Sequence, residues 1–517
     1  MSDLAPSAPV ATRPHVAVLG GGLAGLAAAL ECADRGARVT LLERRNRLGG
    51  LTWSFQHAGY WVDNGQHVFL RCCEEYLSFL ARIGSALDVE IPDRLDIPVL
   101  APPRRPGWAP RVGRLRRSNA RAPFHLAGSL LRYPHLSVAA RLGIGRAVLA
   151  LRRLDLDDPA LDDETFGAWL ARHGQSADAV AALWDLITVP TVNLPATEAS
   201  LAMAARVFQT GVLSDTRAGD LGWSRVPLGR LHGEQAGRAL AQAGVEVRLG
   251  AVALAVRGAE SVGGGRFAVD TAEGMIEADR VILAVPHEVA ATLLPLGSVR
   301  HQDRLDELGA SAIVDAHLFF DRRVTPWPLM AGLHSPVQWV FDRSASSGFG
   351  PGPSAGSAPS QYSGRRYNCQ PSQESGVGPQ YVAVSISAAD GLLGRHPDEL
   401  VPWITTELTR LLPAVADARL LDSVVTKERH ATFRARPGTA ALRPGPATNW
   451  AGLAVAGAWT DTGWPATMEG AVRSGRAAAR ACLADTGSVL PPSPPSDPSF
   501  DDHTRRLLTS NHTEEVA

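Results

Sequence analysis

Residues 15–43 read HVAVLGGGLAGLAAALECADRGARVTLLE. After His15 comes an apolar run, Val16 to Leu19, with β-branched Val16 and Val18, as in a strand buried on both faces. Glycines then fall at 20, 22 and 25, and the spacing predicts a helix running to Asp34. Gly36-Ala37 turns the chain, and Arg38 to Leu42 is a second strand ending at Glu43. Each residue type has a physical task. Gly20 permits the tight turn. Gly22 lets backbone approach a pyrophosphate, and Gly25 lets helix and strand pack closely. Leu23 and Ala24 lie in the turn, and the helix, read from Leu26 to Asp34, offers free N–H groups and a positive dipole end that favour an anion. Glu43 follows where a carboxylate accepts hydrogen bonds from ribose hydroxyls. The unit is a strand–helix–strand dinucleotide site.

The next residues narrow the cofactor. Glu43-Arg44-Arg45-Asn46-Arg47-Leu48-Gly49-Gly50 resembles the extended fingerprint of the FAD-dependent amine oxidase and phytoene desaturase superfamily. That pattern usually has an arginine after the glycine pair. Here Leu51 stands there, with Arg45 and Arg47 as candidate replacements. Far downstream, Ala454 to Thr460 and Asp461 to Gly475 resemble the superfamily's C-terminal flavin motif, with a helix predicted to begin near Pro465 or Ala466. The resemblance implies that Gly457, Ala458, Met468 and Glu469 contact FAD. Ala458 replaces the usual aspartate, and Asp461 is a candidate substitute. Gly244 to Val252 resembles the strand that holds adenine, with Val252 at the contact. Val281 to Pro286 resembles the strand closing the nucleotide domain. The fold implied is α/β: a Rossmann-type FAD-binding domain with an interleaved α+β substrate-binding domain.

Trp61-Val62-Asp63-Asn64-Gly65-Gln66-His67-Val68-Phe69-Leu70, followed by Cys72-Cys73, is more diagnostic. Together with Trp459 to Gly475 it resembles the hydroxysqualene dehydroxylases, squalene-associated FAD enzymes of bacterial hopanoid pathways. Trp184 to Ile187, Asn193 to Pro195 and Val226 to Leu231 fit as well. The resemblance implies reductive removal of an allylic hydroxyl from a long-chain isoprenoid. It also brings Gly65 and Gln66 beside the flavin. Hydroxide leaves poorly, so a general acid or an ionising environment must assist. His67 is the first candidate, since an imidazole is readily protonated near neutrality. Asp63 is read as orienting the turn, and Trp464 as lining the pocket or stacking near the ring. Rival readings are a carotenoid-type desaturase, an amine oxidase, or a non-redox isoprenoid carrier resembling the Rab GDP-dissociation inhibitors.

Composition agrees with a globular multi-domain protein: 517 residues, 45% hydrophobic, 20% charged. The five cysteines form no CxxC pair, which excludes a disulfide scaffold and gives no metal site. The net charge is −1, but it is segregated. Residues 97–154 carry twelve arginines and no acid. Phe124 to Leu151 mixes arginines with apolar residues at helical intervals. This basic amphipathic segment is read as contacting an anionic membrane. No nucleic-acid motif accompanies it. No secretory signal or membrane span is read, so the expected location is cytoplasmic, at the inner face of the cell membrane.

The expected organisation follows. Residues 1–13 are a flexible arm. FAD-binding parts are 14–80, 221–290 and 426–487, and substrate-binding parts are 81–220 and 291–425. Residues 344–378 are a disordered insertion, and 488–517 a disordered tail.

Overall fold

A computed structural model describes residues 13–105, 107–258, 267–349 and 378–484. The 1–12 arm, most of the 344–378 insertion and the 488–517 tail lie outside these residues.

Five strands form one parallel sheet, in the order Glu246–Leu249, Arg38–Glu43, His15–Leu19, Arg280–Leu283, Leu453–Val455. Val18 pairs with Leu41 on one side and Ile282 on the other. Segments more than 400 residues apart therefore share one sheet. Strands His15–Leu19 and Arg280–Leu283 are buried at every position, which explains the apolar runs Val16–Leu19 and Val281–Leu283.

Helix Leu23–Asp34 lies against this sheet and against helix Met468–Ala484. Small residues make that contact possible. A methyl group on Gly475 would stand 2.0 Å from the Ala24 carbonyl oxygen and 3.1 Å from the Ala27 Cβ. The alanines of residues 24–29 thus hold two helices in close packing.

A second sheet has seven strands, in the order Leu420–Thr432, Ser311–Phe320, Gln380–Ser387, Trp339–Asp342, Leu329–Gly332, Asp96–Ala101, Arg111–Arg116. Strand Ser311–Phe320 lies inside it, and its side chains alternate between faces. Val314, Ala316 and Leu318 pack with Leu400, Ile404 and Leu408 of helix Pro397–Leu411. Phe319 goes to the opposite face, with Val62 of the hairpin Ser54–His57/Tyr60–Asp63. Helices between residues 124 and 213 cover the far end of the sheet.

Four expected boundaries are corrected. The line between 80 and 81 falls inside helix Glu74–Arg82, that between 290 and 291 inside helix His287–Leu293, and that between 425 and 426 inside strand Leu420–Thr432. Hydrogen-bonded elements do not divide there. Residues 344–349 are folded: Ser344–Ser347 is helical, and Phe349 is buried edge-on to Tyr60 and Phe319. Within 97–154, strands Asp96–Ala101 and Arg111–Arg116 belong to the seven-stranded sheet, so helices occupy only the later part.

The helix contact predicts that Gly475→Ala lowers stability by about 1–3 kcal/mol through overpacking. Gly145, on helix Val138–Leu151, meets nothing within 4 Å. Gly145→Ala should instead stabilise by up to ~1 kcal/mol. Chemical denaturation of the two variants compares them directly.

Candidate active site

The first part of the site is a cradle of glycines. Gly20 takes φ +108°, and a methyl group there would stand 2.3 Å from the Ala284 carbonyl oxygen. On Gly25 it would be 1.8 Å from the Gly20 carbonyl oxygen. Gly22 is different: its only neighbour within 4 Å would be the Gly50 Cα, at 3.8 Å. Gly22 also precedes helix Leu23–Asp34, whose start no side chain caps. Its first N–H groups, from Leu23 and Ala24 onward, are thus held for an outside acceptor. Gly49 donates to the Gly21 carbonyl at 2.8 Å, which sets Gly49 and Gly50 against the cradle.

Glu43 stands at the rim. Its carboxylate accepts from the Gly21 N–H at 2.6 Å and the Arg45 N–H at 2.8 Å. Those bonds orient it and leave lone pairs for further donors. Gly250 and Ala251 donate to the Arg45 and Glu43 carbonyls, which brings half-exposed Val252 to the same rim. Arg44 is exposed. Arg47 donates to the Gly50 carbonyl and lies 4.1 Å over the Trp53 ring. Burial, aided by Arg45, lowers its pKa to about 10. Arg47 therefore braces the glycine pair, and Leu51 beside it is partly exposed.

The C-terminal segment leaves edge strand Leu453–Val455 at the same carboxyl end of the parallel sheet. Gly457 takes φ +145°, and its N–H donates to Ser474 Oγ at 2.9 Å. Ala458 follows directly. The helix begins at Met468, later than the predicted Pro465 or Ala466. Pro465 and Thr467 shape the entry instead, through the Thr467 N–H to Pro465 carbonyl bond. Glu469 is corrected as a cofactor ligand through its side chain. Its buried carboxylate accepts from the Glu75 and Tyr76 N–H groups and pairs with Arg473. It caps helix Glu74–Arg82. Asp461 is exposed and accepts from the Gly463 N–H, so it forms a turn. Trp464 lies under the Arg473 guanidinium, 4.9 Å from the ring centroid, and its carbonyl accepts from buried Arg443.

The third part is the Asp63–His67 turn. Both oxygens of Asp63 are engaged. Oδ1 accepts from Ser54 Oγ at 2.6 Å and the Leu228 N–H at 2.9 Å; Oδ2 accepts from Arg343 at 2.9 Å. Asp63 is thus a positioning group. The expected protonation of His67 is corrected as well. Burial lowers its pKa, against the opposing pull of Asp63 and the Leu51 carbonyl, so the imidazole is neutral near neutrality.

Three buried polar atoms around this turn lack a partner among the described residues: Trp53 Nε1, Gln66 Nε2 and Asp315 Oδ1. Trp53 is tied to the turn through Asn64. Asp315 reaches it from the seven-stranded sheet: a methyl group on Gly65 would sit 3.2 Å from Asp315 Oδ2 and 3.9 Å from His67 Nε2. Orphaned buried groups of this kind call for a ligand. An open phosphate cradle at one end and orphaned polar atoms at the other fit a dinucleotide with a second, polar-edged ring system.

Sequence reading missed Asp315 and Arg343. A signal existed for the first. SAIVDAHLFF (311–320) is an apolar strand broken only by Asp315 and His317, two apart and so on one face. Nothing local marks Arg343.

Replacing Arg343 by Met leaves Asp63 buried without its cation. Chemical denaturation should show a loss of about 3–5 kcal/mol. Adding Asp63→Asn in the same chain should recover part of it.

Comparison with known proteins agrees with this geometry. The family model "Flavin containing amine oxidoreductase" matches residues 23–483. A hydroxysqualene dehydroxylase of Rhodopseudomonas palustris is 28% identical over 91% of this chain and 98% of its own. That of Sinorhizobium fredii is 26% identical over 92% and 99%. Among solved structures, cyclohexylamine oxidase of Brevibacterium oxydans shares the fold, with TM-score 0.61 at 19% identity over 91% of this chain and 99% of that one. The chain belongs to the flavin-containing amine oxidoreductases and is an FAD-dependent oxidoreductase.

Proposed function

We propose that this enzyme removes the hydroxyl of hydroxysqualene reductively, giving squalene. The observation that carries this reading is likeness to hydroxysqualene dehydroxylases over more than nine-tenths of the chain. In this reading the pyrophosphate of FAD takes the N–H groups of Gly22, Leu23 and Ala24, with Gly20, Gly25, Gly49 and Gly50 keeping the space open. Glu43 takes ribose hydroxyls, Val252 borders the adenine, and Arg44 and Arg45 flank the rim. Gly65, Gln66, Gly457, Ala458 and the backbone at Met468 serve the flavin end. FAD, when bound and reduced, supplies a hydride. The protein's part is to hold an apolar chain, orient the carbon bearing the hydroxyl, and see that oxygen leaves as water.

An apolar substrate must be drawn from a lipid phase, and the surface has a fitting patch. Phe124, Leu131, Val138 and Leu142 are each at least 65% exposed. Phe124 and Leu131 line a groove of about 270 Å3 with Leu130, Ile144 and Val148. Arg121, Arg132, Arg146, Arg152 and Arg153 are exposed on the same stretch of chain. Apolar side chains accompanied by arginines suit the surface of an anionic bilayer. Not every arginine of 97–154 contributes. Arg117 is buried against Asp220, and Arg114 and Arg116 pair with Asp96. No helix among the described residues is long and apolar enough to cross a membrane. The contact proposed is therefore peripheral, at a membrane's anionic face.

Two measurements test the reading. The purified protein should show an oxidised flavin spectrum. Under anaerobic conditions with reduced FAD it should convert hydroxysqualene to squalene, while leaving phytoene unchanged with oxidised FAD; the reverse pattern makes it a desaturase. The protein should float with anionic vesicles. Phe124→Asp with Leu142→Asp, or serine at Arg121, Arg132 and Arg146, should abolish flotation. Wild-type protein that stays at the bottom of the gradient removes the membrane contact.

A further inference from the structure

The dehydroxylation needs an acid, and the neutral imidazole of His67 is poorly suited to that task. Asp315 is the other proton-bearing group at the turn. It lies mid-strand in Ser311–Phe320 and is 1% exposed. Its strand neighbours are Ser385 on one side and Thr426 on the other. Oδ2 lies against Gly65, and Oδ1 has no hydrogen-bond partner among the described residues. Among those residues no cation pairs with Asp315, because Arg343 is spent on Asp63 and the Ser224 carbonyl. A carboxylate in such a place would be a buried, uncompensated charge. A carboxylic acid there is tolerated, and its O–H remains to be donated.

We propose that Asp315 is the acid that protonates the departing hydroxyl of the isoprenoid alcohol. This rests on the dehydroxylase reading. In the step, the carbon–oxygen bond breaks and its electron pair stays with oxygen. The Asp315 proton turns that oxygen into water. The carbon receives the hydride supplied by reduced flavin, which is oxidised as the substrate is reduced. Asp315 then regains a proton from water.

Burial raises the Asp315 pKa to about 7, with the Asp63 charge adding to the rise and Ser385 and the Gln66 N–H opposing it. The other ionisable groups at this face follow the same pattern. His67 sits across Gly65 and is pushed toward the neutral form. His317, two residues along the strand, bonds Tyr381 and Thr426 and is lowered to about 3, so it too is neutral. Tyr381 is raised by burial and stays protonated. Arg343 and Asp63 neutralise each other. Asp315 is then half-protonated near neutrality, as general acid catalysis asks.

The experiment compares wild type with Asp315→Asn on two substrates: hydroxysqualene and the corresponding allylic chloride. Chloride leaves without a proton. Turnover of the alcohol should fall about 10²- to 10⁴-fold in the variant, while the chloride reacts at near the wild-type rate and the flavin spectrum is unchanged. Wild-type turnover of the alcohol should decline above pH about 7, and turnover of the chloride should not. A second readout needs no turnover. Because the folded pKa is raised, the folded protein binds more protons than the unfolded chain between about pH 4 and 7. Wild-type stability is then lost as pH rises through that window, and the advantage of Asp315→Asn should grow from pH 4 to pH 8. If the Asn variant does not hold flavin, Asp315→Ser is judged on the same two substrates. Equal losses on alcohol and chloride, or undiminished turnover of the alcohol, overturn the acid role. Wild type that consumes the chloride but not the alcohol overturns the dehydroxylase reading and the acid role with it; the stability readout still reports whether Asp315 is protonated.

Discussion

One buried ion pair ties the two halves of this molecule together. Asp63 sits at the end of the hairpin following the dinucleotide unit, and Arg343 at the end of strand Trp339–Asp342 in the seven-stranded sheet. Their 2.9 Å contact is surrounded by further bonds, to Ser54, the Leu228 N–H and the Ser224 carbonyl. Taking two such charges out of water costs several kcal/mol per ion, so the pair adds little net stability unless every donor and acceptor is matched. Here each Asp63 oxygen is matched. What the pair supplies is position: it holds the Asp63–His67 turn to the sheet, and so it holds Gly65 against Asp315.

The same face shows how function and stability oppose each other. Ser311–Phe320 is an interior strand of the seven-stranded sheet, yet it carries Asp315 and His317 at 1% and 0% exposure. His317 is satisfied as a neutral ring by Tyr381 and Thr426. Asp315 is not fully satisfied, and near neutral pH it weighs against folding. A purely structural strand would put leucine or valine there. Residues that violate the packing rule without a structural return are where function is concentrated.

Charge segregation has a similar explanation. The arginine run of 97–154 divides once folded. Some of its members are consumed inside the protein: Arg117 locks to Asp220, and Arg141 donates to the Leu131 and Tyr133 carbonyls. Others, such as Arg121, Arg132 and Arg146, stand exposed on the same stretch of chain whose residues line the apolar groove. A sum over residues cannot separate these two populations, because acids far along the chain, such as Asp220, do the pairing.

Much of this protein was legible in sequence alone. The glycine cradle, Glu43, and the strands at 15–19 and 38–43 follow from short-range rules: steric freedom at glycine, apolar runs for buried parallel strands, and a helix start for an anion; the strands at 246–249, 280–283 and 453–455 were legible through resemblance to the superfamily. Those rules act within about thirty residues and leave a local mark. The start of the C-terminal helix, the task of Glu469, the neutrality of His67, and the places of Arg343 and Asp315 left none. Each depends on which distant group lies alongside: Tyr76 for Glu469, Asp63 for Arg343, Gly65 for Asp315. Ionisation and hydrogen bonding are set by surroundings, and only the tertiary fold brings those surroundings together.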